Sequence, residues 1–251
     1  MNENNFYQWP SCRNCESVLP RAVLIQRICN IADFKINVVN VPLPPAGADF
    51  KEQLENRLIG LPYLELEGEH FRSSRKIWDY FISHITDSKI KMRLNRNDSI
   101  YSFITRQWCN ESFINSLIYA RWKKEENYQR FISGVDFGSH VTPDMTTTLR
   151  KYILSYLKRT AMGDMQTEDY QTLITQQFSS LAAIVEEQPY FEAFAKYPTF
   201  TDLYVFMVIQ GFLSPDIEES TWIEQTYPSL MRWYKNMELY TGKNPPKDLL
   251  G

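Results

Sequence analysis

Up to about residue 83 the chain alternates between strand-like and helix-like hydropathy, and after residue 98 only the helical period remains. That change of rhythm admits few architectures. Asn5 to Trp9 is a short aromatic strand candidate, and Leu19, Val23, Leu24, Ile28 and Ile31 fall on one face of a helix over 19–31. Ile36 to Val41 is rich in β-branched residues and runs into Pro42, Pro44, Pro45 and Gly47, which marks a strand and its end. A polar helix over Asp49 to Leu58 follows. Pro62 to Leu66 and Glu69 to Arg72 then form a hairpin about Glu67-Gly68. Ser73 or Ser74 caps a helix through Ile77, Tyr80 and Phe81. A helix crossing between the first two strands makes them parallel, and the hairpin adds an antiparallel pair. The prediction is a four-stranded mixed sheet.

The second half reads as helix throughout. Ile100, Phe103, Ile104 and Trp108, then Phe113, Leu117 and Ile118, mark a long helix bent near Cys109. A loop over Ser133 to Thr148 separates it from a helix at Leu149 to Leu157. A stripe from Tyr170 to Val185 is stopped by Pro189. Leu203 to Phe212 is apolar nearly all round, so it is expected at the centre of the helical half. Two last helices, over Glu218 to Gln225 and Ser229 to Leu239, precede a proline-containing tail. The expected division is an α/β domain over 1–84, a linker over 85–97 and an all-helical domain over 98–251.

Charge and targeting signals narrow the function classes. A net charge of −3 leaves no electrostatic footprint for nucleic acid, and the basic run Lys89 to Arg96 reads as a solvated connector. No apolar stretch approaches bilayer length, and MNENNFYQW carries no secretory pattern, so a cytoplasmic protein is expected. The four cysteines are too few and too unevenly spaced for a disulfide framework. Cys29 and Cys109 sit in apolar helical patterns and read as packing residues. His70, His84 and His140 lack metal-ligand spacing, so no metal is expected.

Three stretches in order resemble the glutathione transferase superfamily: Leu61 to Leu66 running into Ser73 to Phe81; Pro198 to Leu203, with Thr199 and Asp202 in capping-box positions; and Tyr227 to Tyr234. The resemblance implies a thioredoxin-like N-terminal domain, an all-α C-terminal domain and glutathione as co-substrate. It further implies that Leu61, before a cis Pro62, pairs with the cysteinyl part of glutathione. Ser74, at a helix N-terminus, would hold the γ-glutamyl carboxylate. Ser73 stands where the family usually has an acidic residue or Gln.

Cys12-Arg13-Asn14-Cys15 falls between the first strand and first helix, where this fold places its reactive group. A thiol at the N-terminus of the first helix is activated by the helix dipole, with Arg13 adding to this. Attack by Cys12 and resolution by Cys15 is thiol–disulfide exchange. Ser11 is the alternative, a hydroxyl donating to the glutathione thiolate, with Tyr7 a weaker one. Trp108, Tyr119 and Trp122 either line an electrophile pocket or belong to the core. The resemblance therefore implies a glutathione-dependent transferase or thiol–disulfide oxidoreductase, acting on a small electrophile or disulfide, with a homodimer as the family's habit. A distant likeness to the metaxin and failed-axon-connections branch gives the alternative, a non-catalytic interaction or scaffold protein.

Overall fold

A computed structural model describes residues 4–12, 16–66, 68–84, 100–191, 195 and 197–242. Cys15, the Lys89 to Arg96 run and the predicted linker lie outside these residues. The strands are β1 (Asn5–Gln8), β2 (Asn37–Asn40), β3 (Tyr63–Leu66) and β4 (Glu69–Phe71). The α/β half adds α1 (Pro20–Ile31), α2 (Phe50–Gly60) and α3 (Ser74–His84). Sheet order is β2-β1-β3-β4, with β1 parallel to β2 and antiparallel to β3, as the connection rules require. Gly68 closes the β3–β4 turn at φ +86°, a left-handed conformation that suits glycine.

Side chains alternate across the sheet. Phe6, Gln8, Leu64 and Leu66 point inward, beside the buried face of α1, while Asn5, Tyr7, Tyr63 and Glu65 point outward. α1 buries Ala22, Val23, Leu24, Ile25, Ile28 and Cys29, which explains its weak amphipathicity: the sheet lies to one side and the helical half to the other. Burial pushes the thiols of Cys29 and Cys109 up to about 12, in keeping with packing roles.

The helical half consists of α4 (Ile100–Trp108), α5 (Ile114–Ile118), α6 (Glu125–Gly134), α7 (Pro143–Leu157), α8 (Thr167–Glu187), α9 (Phe200–Phe212), α10 (Glu219–Thr226) and α11 (Pro228–Thr241). π-helical turns at Cys109–Phe113 and Tyr119–Lys123 join α4, α5 and the approach to α6, so the expected bend at Cys109 is a π-bulge. α7 starts at Pro143, earlier than the predicted Leu149: Thr142 is extended, and Pro at the first turn is preorganised for helix. The Thr and Pro content of that stretch reads as loop but serves as a helix start.

α9 is buried along nearly its whole length. It packs on α1, and one apolar cluster runs from Phe6 and Leu64 through Val23 to Phe206, Phe212 and Trp233. The expected capping box is formed. Thr199 N–H and Oγ1 donate to Asp202 Oδ2 at 2.8 and 2.7 Å, and Phe191 N–H donates to Oδ1 at 3.0 Å. Burial nevertheless pushes the Asp202 carboxyl up to about 6, against the pull of these bonds.

Candidate functional site

The described residues between β1 and α1, 9–12 and 16–19, have no repetitive structure, so their position rests on individual hydrogen bonds. Val18 N–H donates to Pro10 O at 3.0 Å, Ser17 Oγ to Trp9 O at 2.9 Å, and Gln8 Nε2 to Glu16 O at 2.8 Å. The Glu16 carboxylate accepts from the Arg27 guanidinium on α1 and from Gln210 Nε2 on α9 at 2.7 Å. Arg27 itself lies over the Phe206 ring at 5.0 Å. The loop is thereby tied to both halves of the molecule.

Cys12 is fully buried and stands ahead of α1, which starts at Pro20. Its backbone forms an antiparallel bridge with Val135, after α6, and its Sγ donates toward Asp216 Oδ1 at 3.9 Å. The sequence expectation of a thiol on the dipole of the first helix is therefore not met by Cys12: Pro10 and Ser17 fold the loop back before the helix begins. Asp216 is also fully buried. It accepts from Arg121 Nε at 3.0 Å and from the Ser214 hydroxyl. Arg121 donates further to Gly211 O at 3.2 Å and Val18 O at 3.4 Å, and its guanidinium sits over Phe131 at 5.0 Å. Ser11, next to Cys12, is exposed and has no hydrogen bond among the described residues. The pairing of Arg121 with Asp216 has no local signal in sequence, since 95 residues separate the two.

Between the halves lies a cleft of about 360 Å³. Leu61 and Pro62 form one wall with Leu19 and Pro20, and Ile114, Ile118, Trp122 and Tyr156 form the other. The Leu61–Pro62 peptide is cis. The lining is largely apolar, and Asn110 Oδ1 is a buried acceptor in it with no hydrogen-bond partner. Trp122 thus lines the cleft, whereas Tyr119 is buried, stacked on Tyr170 at 4.2 Å, and Trp108 borders a separate surface pocket.

The predicted cradle residues do not all meet here. Leu61 N–H donates to Arg57 O at 3.0 Å, closing the end of α2, so of its two backbone groups only the carbonyl is open to an incoming strand. Ser73 caps α3 through Oγ, which accepts from Lys76 N–H at 3.4 Å. Ser74 Oγ hydrogen-bonds Tyr204 Oη on α9 at 3.2 Å, joining the two halves of the molecule. Neither serine lines the cleft, and nor do Ser11, Cys12 or Tyr7, whose ring lies on the outer face of the sheet. Among the described residues no cluster of His, Cys, Asp or Glu could hold a metal, and no helix is long and apolar enough to cross a membrane.

The fold is that of the glutathione transferases. A glutathione transferase of Phanerochaete chrysosporium superposes with a TM-score of 0.64 at 13% identity over 96% of this chain and 98% of that one. An unclassified glutathione S-transferase of Bombyx mori gives 0.55 at 14% identity over 99% and 94%. A glutathione S-transferase I structure bound with lactoylglutathione gives 0.53 at 13% identity over 94% of each chain. No protein-family model and no curated protein sequence matches the chain.

Proposed function

We propose that the cleft binds glutathione beside a small electrophile, and that the protein is a glutathione transferase in which the Ser11 hydroxyl steadies the thiolate. The observation that carries this reading is the contrast between two neighbours close in sequence to Trp9, which lines the cleft: Ser11 is exposed and has no hydrogen bond among the described residues, while Cys12 is buried against Asp216. A hydroxyl donor lowers the energy of a thiolate held within hydrogen-bond reach, so the co-substrate becomes the nucleophile. Leu61 O and Pro62 border the cleft for the cysteinyl part, and the exposed N-terminus of α3 at Ser73 and Ser74 suits the γ-glutamyl carboxylate. The apolar wall of Ile114, Ile118 and Trp122 suits an electrophile of low polarity. A structural neighbour that carries lactoylglutathione supports the ligand class.

Thiol–disulfide exchange through Cys12 and Cys15 requires Cys12 to leave its contacts with Asp216 and Val135. A non-catalytic interaction role is the second reading, favoured by the Ser74–Tyr204 bond and by the use of Leu61 N–H within the fold. The test is calorimetric titration with glutathione, followed by conjugation kinetics for wild type, Ser11→Ala and Cys12→Ser. On the transferase reading glutathione binds, Ser11→Ala lowers kcat/KM by about a hundredfold, the scale of losing one preorganised donor, and Cys12→Ser retains activity. Loss of activity in Cys12→Ser alone moves the chemistry to the dithiol. Absence of glutathione binding leaves the interaction role.

A further inference from the structure

The outer face of the sheet is not covered in the ordinary way. α2 directs its apolar residues Phe50 and Leu54 into a cluster with Trp9, Leu43 and Phe137, so its polar side, Gln53, Asn56 and Arg57, is turned toward the sheet. Between that side and the strands runs an open groove of about 590 Å³, floored by Tyr7, Val39 and Tyr63.

Strand register explains the floor. Tyr7 lies opposite Tyr63 on one side and opposite Val39 on the other, so these side chains form a row across three strands. Tyr7 and Tyr63 are stacked, with centroids 4.6 Å apart and planes 16° from parallel, and Tyr63 meets His70 at 4.9 Å. The row of rings ends at Tyr7. Its far face has no aromatic neighbour among the described residues, and Val39 leaves the space beside it open. The lining contains two guanidinium groups, Arg57 and Arg72, and no carboxylate. Arg57 is held by a hydrogen bond to Pro42 O, which leaves other N–H groups of its fork to donate. Glu65, on the same sheet face, pairs in register with His70 outside the groove. Asn40, Gln53 and Asn56 supply amides.

We propose that this groove is a second site, which meets the cleft only at Leu61, and that it binds a nucleoside monophosphate. The base extends the ring row on Tyr7, the phosphate dianion meets Arg57 and Arg72, and the amides read the base or ribose edges. Two cations with no carboxylate in the lining favour a dianion, even with Glu65 near Tyr63, and an open ring face selects a planar group. A groove this large takes both parts together, as neither an aromatic carboxylate nor a sugar phosphate would require.

The test is equilibrium binding of 5′-AMP by saturation-transfer NMR and calorimetry, with adenosine, ribose 5-phosphate and 1-naphthoate as partial ligands. The expected result is saturable AMP binding at least tenfold tighter than any of the three. Arg72→Gln, at an exposed position that leaves the fold intact, weakens AMP several-fold and spares adenosine. Tyr7→Leu weakens AMP and adenosine together, with thermal melts confirming that the variant is folded. Absence of AMP binding, equal affinity for ribose 5-phosphate, tighter binding of naphthoate, or an Arg72→Gln variant indistinguishable from wild type would overturn the proposal. Glutathione binding at the cleft is measured separately, with AMP absent, so failure of one site is told apart from failure of the other although Leu61 borders both.

Discussion

Replacing Asp216 with Ala tests what holds the loop after β1 against the helical half. The carboxylate is fully buried and accepts from Arg121 Nε at 3.0 Å, from Ser214, and from Cys12 Sγ at 3.9 Å. Without it the Arg121 guanidinium stays buried with two backbone carbonyls and the Phe131 face as its remaining partners. Leaving one member of a buried ion pair uncompensated costs about 3–5 kcal/mol. With a urea slope of about 3 kcal/mol/M, the unfolding midpoint falls by about 1 to 1.7 M. The double variant Asp216→Ala, Arg121→Met should recover much of this, because an apolar side chain carries no buried charge. Alkylation of Cys12, followed by mass spectrometry in the native state, should speed up in the single variant as its acceptor disappears. A midpoint shift below about 0.3 M, the scale of an exposed pair, or a double variant less stable than the sum of the two single ones, would refute the reasoning.

Other outcomes follow from the same structure. Asp202 has its carboxyl raised from 3.8 to about 6 by burial, so its share of the stability is fully present below 3.8 and lost as pH rises through about 6. The stability difference between wild type and Asp202→Asn should therefore shift against wild type by about 2–3 kcal/mol between pH 4 and 7, read from urea midpoints. Thr199→Ala should cost about 1–2 kcal/mol in the same assay, since it removes the side-chain half of the capping box. A Cβ on Gly163 would meet the Lys158 backbone at 2.6 Å, so Gly163→Ala should lower stability by about 1–3 kcal/mol. Cys29 and Cys109, buried and held near 12, should resist alkylation at pH 8 until urea unfolds the chain.

Much of the fold is legible because it follows from local rules. The parallel β1–β2 pair follows from the intervening helix, and Tyr63–Leu66 and Glu69–Phe71 from the Gly68 turn. Full burial of α9 follows from its unbroken apolar sequence. Boundaries were missed where one residue type serves two purposes, as with Pro143 and its threonines at the start of α7. The site was less legible. Cys12 and Ser11 look equivalent as neighbours, and packing against distant residues, Val135 and Asp216 among them, buries one while the other stays exposed. Leu61 and Ser74 are likewise visible as candidates, but the partners that occupy them, Arg57 O and Tyr204 Oη, come from packing that no spacing rule encodes.

The π-helical turns at Cys109–Phe113 and Tyr119–Lys123 give the stretch from α4 to α6 an unusual tolerance of chain length. Each such turn holds one residue more than an α-turn would, so deleting a single residue there restores regular helix instead of breaking it. The wider turn takes up the difference, and the residues downstream keep their phase, whereas the same deletion in uninterrupted α-helix turns everything after it by about 100°. A one-residue deletion inside the first turn would therefore leave Arg121 on Asp216 and Trp122 in the cleft. The two turns act as expansion joints: the rod can lose a residue at either of them and still present the same side chains to the cleft.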